Sequence, residues 1–142
     1  MFYDPIKQVI AASHAGWRGT VAEIGKKTVE TMAVVFGCDP KTICAAIGPS
    51  IGACCYEVDS PVVDGFSALG YLDMKHFLTP KSNDKYMLDL WVANRLILEN
   101  AGILSKNICV TDLCTCCNSQ YFHSHRATGG SRGNLAAIIA LK

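Results

Sequence analysis

Three observations predict an α/β layered fold for this 142-residue sequence. Short apolar runs recur along it, each bounded by glycine or proline, as buried strands require. Between them lie longer stretches whose apolar residues fall three and four apart, the spacing of one helix face. The two kinds of stretch alternate, which is the pattern of helices layered on a sheet. Half the residues are hydrophobic and only 18% are charged, against about 25% in an average globular chain. A core is therefore affordable and a disordered tail is excluded, and the length predicts a single domain over 1–142.

The elements follow in order. Gln8–Ser13 is short and apolar between Pro5 and Gly16, and reads as the first buried strand. Val21, Ile24, Thr28, Met32 and Val35 predict a helix from Thr20 to Phe36, stopped by Gly37. Ile43–Ile47 is the second strand, closed by Gly48-Pro49, and Cys54–Val58 a third. Ser60 and Pro61 suit the cap and first turn of a helix running to Leu69. The stretch from Gly70 to Lys85 is irregular, with Pro80–Asp84 as its surface loop. Leu88, Trp91, Val92 and Leu96 mark an amphipathic helix ending near Ala101, before Gly102. Asn107–Thr111 and the apolar Leu135–Leu141 complete the strands. No element precedes Gln8 to cover or pair the first strand. It is then either an edge strand or the sign of a chain that begins inside a longer protein, and an uncovered edge would favour a homo-oligomer.

Charge and cysteines narrow the function. Thirteen Lys+Arg stand against twelve Asp+Glu, and no basic block exceeds Lys26-Lys27. The basic stripe of a nucleic-acid binder is missing. No apolar run approaches the roughly 20 residues of a membrane span, and the first residues carry no signal-peptide pattern. Eight cysteines in such a chain are expected as thiols in a reducing cytoplasm. The adjacent pairs Cys54-Cys55 and Cys116-Cys117 agree, because neighbours rarely meet disulfide geometry.

Three constellations can carry chemistry. The first is His14-Ala15-Gly16-Trp17-Arg18-Gly19-Thr20, between a strand and a helix. Such a junction presents free N–H groups at the positive end of a helix, Gly16 and Gly19 let an anion approach, and Arg18 can grip phosphate or carboxylate. The plainer alternative makes Gly16 a turn residue and His14 a satisfied core histidine. The second is Gly48–Val58, where Cys54 or Cys55 is a nucleophile if a base lies nearby, or else an inert buried thiol. The third is Cys114-Thr115-Cys116-Cys117 with His123 and His125. A zinc site there conflicts with the close spacing of the histidines. His125 and Arg126 lining a pocket for an anionic or polar substrate is the alternative, and plain packing a third. The glycines of Gly129–Gly133 alone are a weak phosphate signal.

Taken in order, HAGWRGT at 14–20, GPSIGACCYEV at 48–58 and the segment from Cys114 to FHSHR at 122–126 resemble the YfiH/YlmD/LACC1-type proteins. These are catalogued as multicopper polyphenol oxidoreductases (laccases). They are also described as purine nucleoside phosphorylases with adenosine deaminase activity and, in some bacteria, as a peptidoglycan editing factor. The resemblance runs through essentially the whole chain, including Asp89-Leu90-Trp91. It implies a three-layer α/β/α fold round a mixed sheet, of which 1–142 would be the C-terminal portion.

It also implies a metal site of two histidines and one cysteine, and His14 matches one of those histidines. The other two ligands belong to Val-His-Gly and Ala-Asp-Cys motifs that precede this segment in the family, and neither motif occurs here. Cys54 and Cys55 belong to a different motif and do not fill the gap. Expected partners are a nucleoside and phosphate, with Arg18, Arg126, Gly16 and Gly19 as substrate or phosphate contacts and His125 as a catalytic proton donor. Zinc is the expected cofactor and copper the alternative, since imidazole and thiolate suit both. A multicopper oxidase needs many histidines, though, and this chain has four. A third possibility is a non-enzymatic fragment lacking two metal ligands.

Overall fold

The computed structural model describes all 142 residues, which form two compact units. The first comprises Met1–Gly48, Asn94–Thr111 and Ala137–Lys142. Its sheet has four strands in the order β2-β1-β3-β7, with β1 Phe2–Asp4, β2 Val9–Ala11, β3 Cys44–Ile47 and β7 Ile108–Val110. β1 runs antiparallel to both β2 and β3, and β3 runs parallel to β7, so the sheet is mixed.

The expectation that nothing pairs the first predicted strand is corrected. β1 precedes it and pairs Phe2 with Ala11 and Asp4 with Val9, which leaves β2 as an edge strand. Three residues are too few to show an alternating pattern. The hairpin is recognisable instead by Asp4, whose side chain accepts the N–H groups of Ile6 at 2.8 Å and Lys7 at 3.2 Å across the turn. Such a local side-chain turn is a known alternative to backbone pairing.

The predicted helix from Thr20 is in fact two, α1 (Trp17–Val21) and α2 (Ile24–Phe36), separated at Glu23, whose φ of 54° is left-handed. Val21 and Ile24 are three apart, a spacing that fits an unbroken helix and a broken one equally. Gly37 ends α2 as expected, in the left-handed conformation at φ 67°. The buried stripe of α2 is Gly25, Val29 and Met32, while Val34, Val35 and Phe36 are exposed. Gly25 faces Leu98 so closely that a β-carbon there would lie 3.1 Å from Leu98 Cδ2. Phe2, Val29, Met32, Ile43, Leu98, Ile103 and Ile108 join in one core.

The second unit comprises Pro49–Ala93 and Asp112–Ala136. Its antiparallel sheet has the order β4-β6-β5, with β4 Glu57–Val58, β5 Leu78–Pro80 and β6 Tyr86–Leu88. The hairpin of β5 and β6 lies in the stretch expected to be irregular; Pro80 and the polar 81–85 turn hide it from a pattern of alternating residues. α3 (Ser60–Ser67) has Asp59 rather than Ser60 at its N-cap position, with no side-chain capping bond, and Pro61 in its first turn. Its Phe66 is fully buried, with its ring 5.2 Å from that of Phe77. α4 (Leu90–Asn100) begins after Asp89, whose carboxylate accepts the N–H of Val92 at 3.0 Å. It gives its first residues to this unit and the rest to the first. No helix is long and apolar enough to cross a membrane.

Two strand expectations are corrected. Cys54 and Cys55 lie in a turn, and only Glu57–Val58 pairs as a strand. Leu135–Leu141 is not a strand: no partner hydrogen-bonds it, and Leu135, Ile138 and Leu141 are exposed. An apolar run becomes a strand only where an edge accepts it.

Candidate functional site

His14, in the turn that follows β2, is exposed, which removes the alternative of a satisfied core histidine. The chain then turns into α1, where Thr20 N–H donates to Gly16 O at 2.8 Å and Asn94 donates to the buried Thr20 Oγ1 at 3.0 Å. Gly19 has a steric reason: a β-carbon there would lie 2.9 Å from the carbonyl oxygen of His14. At residue 16 it would lie 3.4 Å from His14 Nε2, an ordinary contact, so only Gly19 is sterically required here. Arg18 is exposed, its guanidinium 4.3 Å from the centroid of the Trp17 ring, and it makes no ion pair. α1 has only five residues, so its aligned dipole is small and Arg18 is the principal positive charge of this turn.

The second unit holds the other candidates. Arg126 is exposed but occupied. Its two terminal nitrogens donate to the carbonyls of Cys55 at 3.3 Å and Glu57 at 3.0 Å, and it lies 5.5 Å from the Tyr56 ring centroid. Glu57 forms an ion pair with Lys81. Lys81 holds the Glu57 carboxyl below its ordinary value, with smaller help from Lys85 and Arg126. Arg126→Ala is therefore expected to destabilise the protein by about 1 kcal/mol, the scale of an exposed charge-assisted contact. An unchanged urea midpoint would mean that these two bonds contribute nothing.

His125 and His123 are exposed, and each lies over the glycine turn that follows. A β-carbon at residue 130 would come 3.3 Å from His125 Cε1, and one at 133 would come 2.7 Å from His123 Nε2. Those glycines make room for imidazole rings.

The cysteines gather in a way the sequence reading did not anticipate. Ser50 and Cys114 form a parallel bridge, and Thr115 N–H donates to Ser50 O at 2.9 Å. This sets the loop after Gly48 beside the Cys114–Cys117 turn. The N–H groups of Cys55 and Tyr56 both donate to Gly52 O, at 3.0 and 3.1 Å. That turn carries Cys54 and Cys55 to Cys117, with Sγ–Sγ distances of 3.5 and 3.4 Å. The sulfurs of Cys54, Cys55, Cys114 and Cys117 all lie within 4.8 Å of one another, a group able to hold a metal ion. Neither His123 nor His125 belongs to it, in keeping with the histidine spacing that spoke against a zinc site of Cys114 and Cys117 with them. The signal was present as a Cys-Cys pair and a Cys-x-x-Cys pair, but nothing in the spacing joins residues sixty apart.

Cys54 and Cys55 are not the buried thiols expected; Cys54 is exposed and Cys55 half-buried. The contact with Cys117, followed by desolvation, pushes Cys54 up to about 11 and raises Cys55 as well. Both stay protonated at neutral pH, which argues against a nucleophile. At buried Cys114, desolvation pushes upward, but hydrogen bonds from the N–H groups of Cys117 and Gly52 outweigh it and bring the thiol to about 6.

His14 belongs to no group of three or more potential ligands; the four cysteines form such a group, and His14 is not in it. One ligand of three does not fit a catalytic metal.

A mixed sheet with helices, entered through a glycine-bounded His–Arg turn, defines an α/β protein of the YfiH and YlmD type. The Bacillus licheniformis YfiH structure superposes with a TM-score of 0.88 at 38% identity, over 91% of this chain and 48% of that one. YlmD from Geobacillus stearothermophilus gives 0.88 at 37%, over 93% and 49%. The chain belongs to the multi-copper polyphenol oxidoreductase laccase family, whose profile matches residues 1–142. Bacillus subtilis YlmD, named a purine nucleoside phosphorylase, is 42% identical over 99% of this chain and 50% of its own length. Mus musculus LACC1, named likewise, is 34% identical over 100% of this chain and 33% of its own length. The chain thus spans half or less of these relatives.

Proposed function

We propose that the protein acts as a purine nucleoside phosphorylase. Phosphate oxygen attacks the anomeric carbon of the sugar, the glycosidic carbon–nitrogen bond breaks, and the departing base takes a proton. The observation that supports this most is Arg18, an exposed guanidinium without an ion pair, in a chain whose relatives carry that name. Stacking on Trp17 restricts the guanidinium while leaving its N–H edge available for a bidentate hold on phosphate. In this reading Gly16 keeps side-chain bulk away from the anion, and Gly19 lets the turn close. His125 is the proposed proton donor and Arg126 a substrate contact, through donors that it does not spend on Cys55 and Glu57. Adenosine deamination and dependence on zinc, with copper as the alternative metal, belong to the resemblance. His14 alone supports neither.

Purified protein given inosine and phosphate is expected to release hypoxanthine only when phosphate is present. Arg18→Ala should raise the KM for phosphate roughly tenfold to a hundredfold, the loss of one charge-assisted pair, and change the KM for inosine much less. Equal changes in both, or loss of folding, would make Arg18 structural. No phosphate-dependent release would favour the non-enzymatic fragment, and oxygen uptake with a phenol would favour the copper oxidase.

A further inference from the structure

We propose that Cys54, Cys55, Cys114 and Cys117 bind a zinc ion through four thiolates, as a closed structural site separate from His14. The geometry carries this inference. Zinc binds cysteine sulfur at about 2.3 Å in a tetrahedron, which sets neighbouring sulfurs about 3.8 Å apart. The four sulfurs here lie within 4.8 Å of one another, with the contacts to Cys117 at 3.4 and 3.5 Å. The spacings bracket the tetrahedral value, so the group is of the right size to close on one ion.

Two further observations point the same way. Cys114 Sγ accepts backbone N–H groups from Gly52 at 3.3 Å and from Cys117 at 3.5 Å. Donors of this kind disperse the negative charge that a ligating thiolate carries, and they fix its orientation. Selection is also visible within one short turn: Cys116 lies between Thr115 and Cys117 but does not join the group. With all four positions filled by protein, no site is left for water or substrate, so the ion's role is to tie two loops distant in sequence. Ligation requires all four sulfurs as thiolates, so binding releases whatever protons they carry. The proposal does not rest on the phosphorylase reading.

Metal analysis of the purified chain is expected to find near-stoichiometric zinc. That zinc should remain in His14→Ala and in Cys116→Ser, and should be lost from Cys55→Ser. Because a variant here can fail to fold, cobalt replacement of the intact protein supplies a second readout. Cobalt held by four thiolates gives strong sulfur-to-metal charge-transfer and tetrahedral ligand-field bands, and Cys54→Ser, at an exposed position, should weaken the former while the circular dichroism is unchanged. Four outcomes would overturn the proposal. These are folded protein with no metal and four freely titrating thiols; a disulfide joining Cys117 to Cys54 or Cys55; copper in place of zinc; and zinc lost with His14→Ala but kept in Cys55→Ser.

Discussion

Asp4→Asn is expected to lower stability at neutral pH by about 2–3 kcal/mol, the scale for hydrogen bonds to a buried charged group, and to flatten the protein's response to acid. Asp4 is completely buried. Its carboxylate accepts the N–H groups of Ile6 and Lys7 through one oxygen and the Thr42 hydroxyl, at 3.2 Å, through the other. An amide in its place presents two hydrogens to a site furnished with donors. Desolvation is the largest influence on this carboxyl and pushes it upward, but the bonds from Lys7, Ile6, Cys38 and Thr42 together outweigh it and hold the group below its ordinary 3.8.

A carboxyl depressed in the folded state contributes stability that is fully present above its unfolded value. That contribution is lost as pH falls through the lower folded value. The parent protein should therefore hold its Tm down to about pH 4 as far as this group is concerned, then lose stability at lower pH. Asp4→Asn should start lower and decline less over the same range, so that the two curves approach each other. Parallel curves in a thermal-melt series from pH 7 to pH 3 would show that Asp4 is not the acid-sensitive group of the first unit.

Asp4 also shows where sequence reading runs out. The strands at Val9–Ala11, Cys44–Ile47 and Ile108–Val110 were legible because each is an apolar run between glycine, proline or polar residues. Phe2–Asp4 was not, because a three-residue strand shows its character only through what it pairs with. Leu135–Leu141 erred the other way: its composition is that of a buried strand, yet no edge receives it. The turn from His14 to Thr20 could be located from its glycines and its arginine. What separates Arg18 from Arg126, an unpaired guanidinium against one spent on two carbonyls, depends on contacts across the fold. The cysteine group was hidden for the same reason. Each half of it is visible in the sequence, but the bridge between Ser50 and Cys114 that joins them is a tertiary event.

That junction is also closely packed at Gly52, and Gly52→Ala is expected to destabilise the second unit by about 2–3 kcal/mol, the upper range for overpacking. A β-carbon at this position would sit 2.9 Å from Trp91 Cη2 and 3.3 Å from Cys114 Cβ. Neither neighbour yields readily: the Trp91 ring is tethered by its Nε1–H to Ser50 Oγ, and Cys114 is buried within its turn. Gly52 is not in the left-handed region, so the backbone tolerates alanine and the whole cost is steric. Gly48, four residues earlier in the same loop, has open space around its Cα. Gly48→Ala should stay within about 0.5 kcal/mol of the parent. A double-mutant cycle identifies the obstructing group, because Trp91→Phe removes the ring atoms that meet the new methyl. It should recover about 1 kcal/mol of the Gly52→Ala loss, within the range of coupling seen for residues in contact. Additive effects in urea unfolding would instead place the clash at Cys114. Gly52→Ala would then be expected to disturb the N–H bond to its sulfur, and with it the cysteine group, before the rest of the unit.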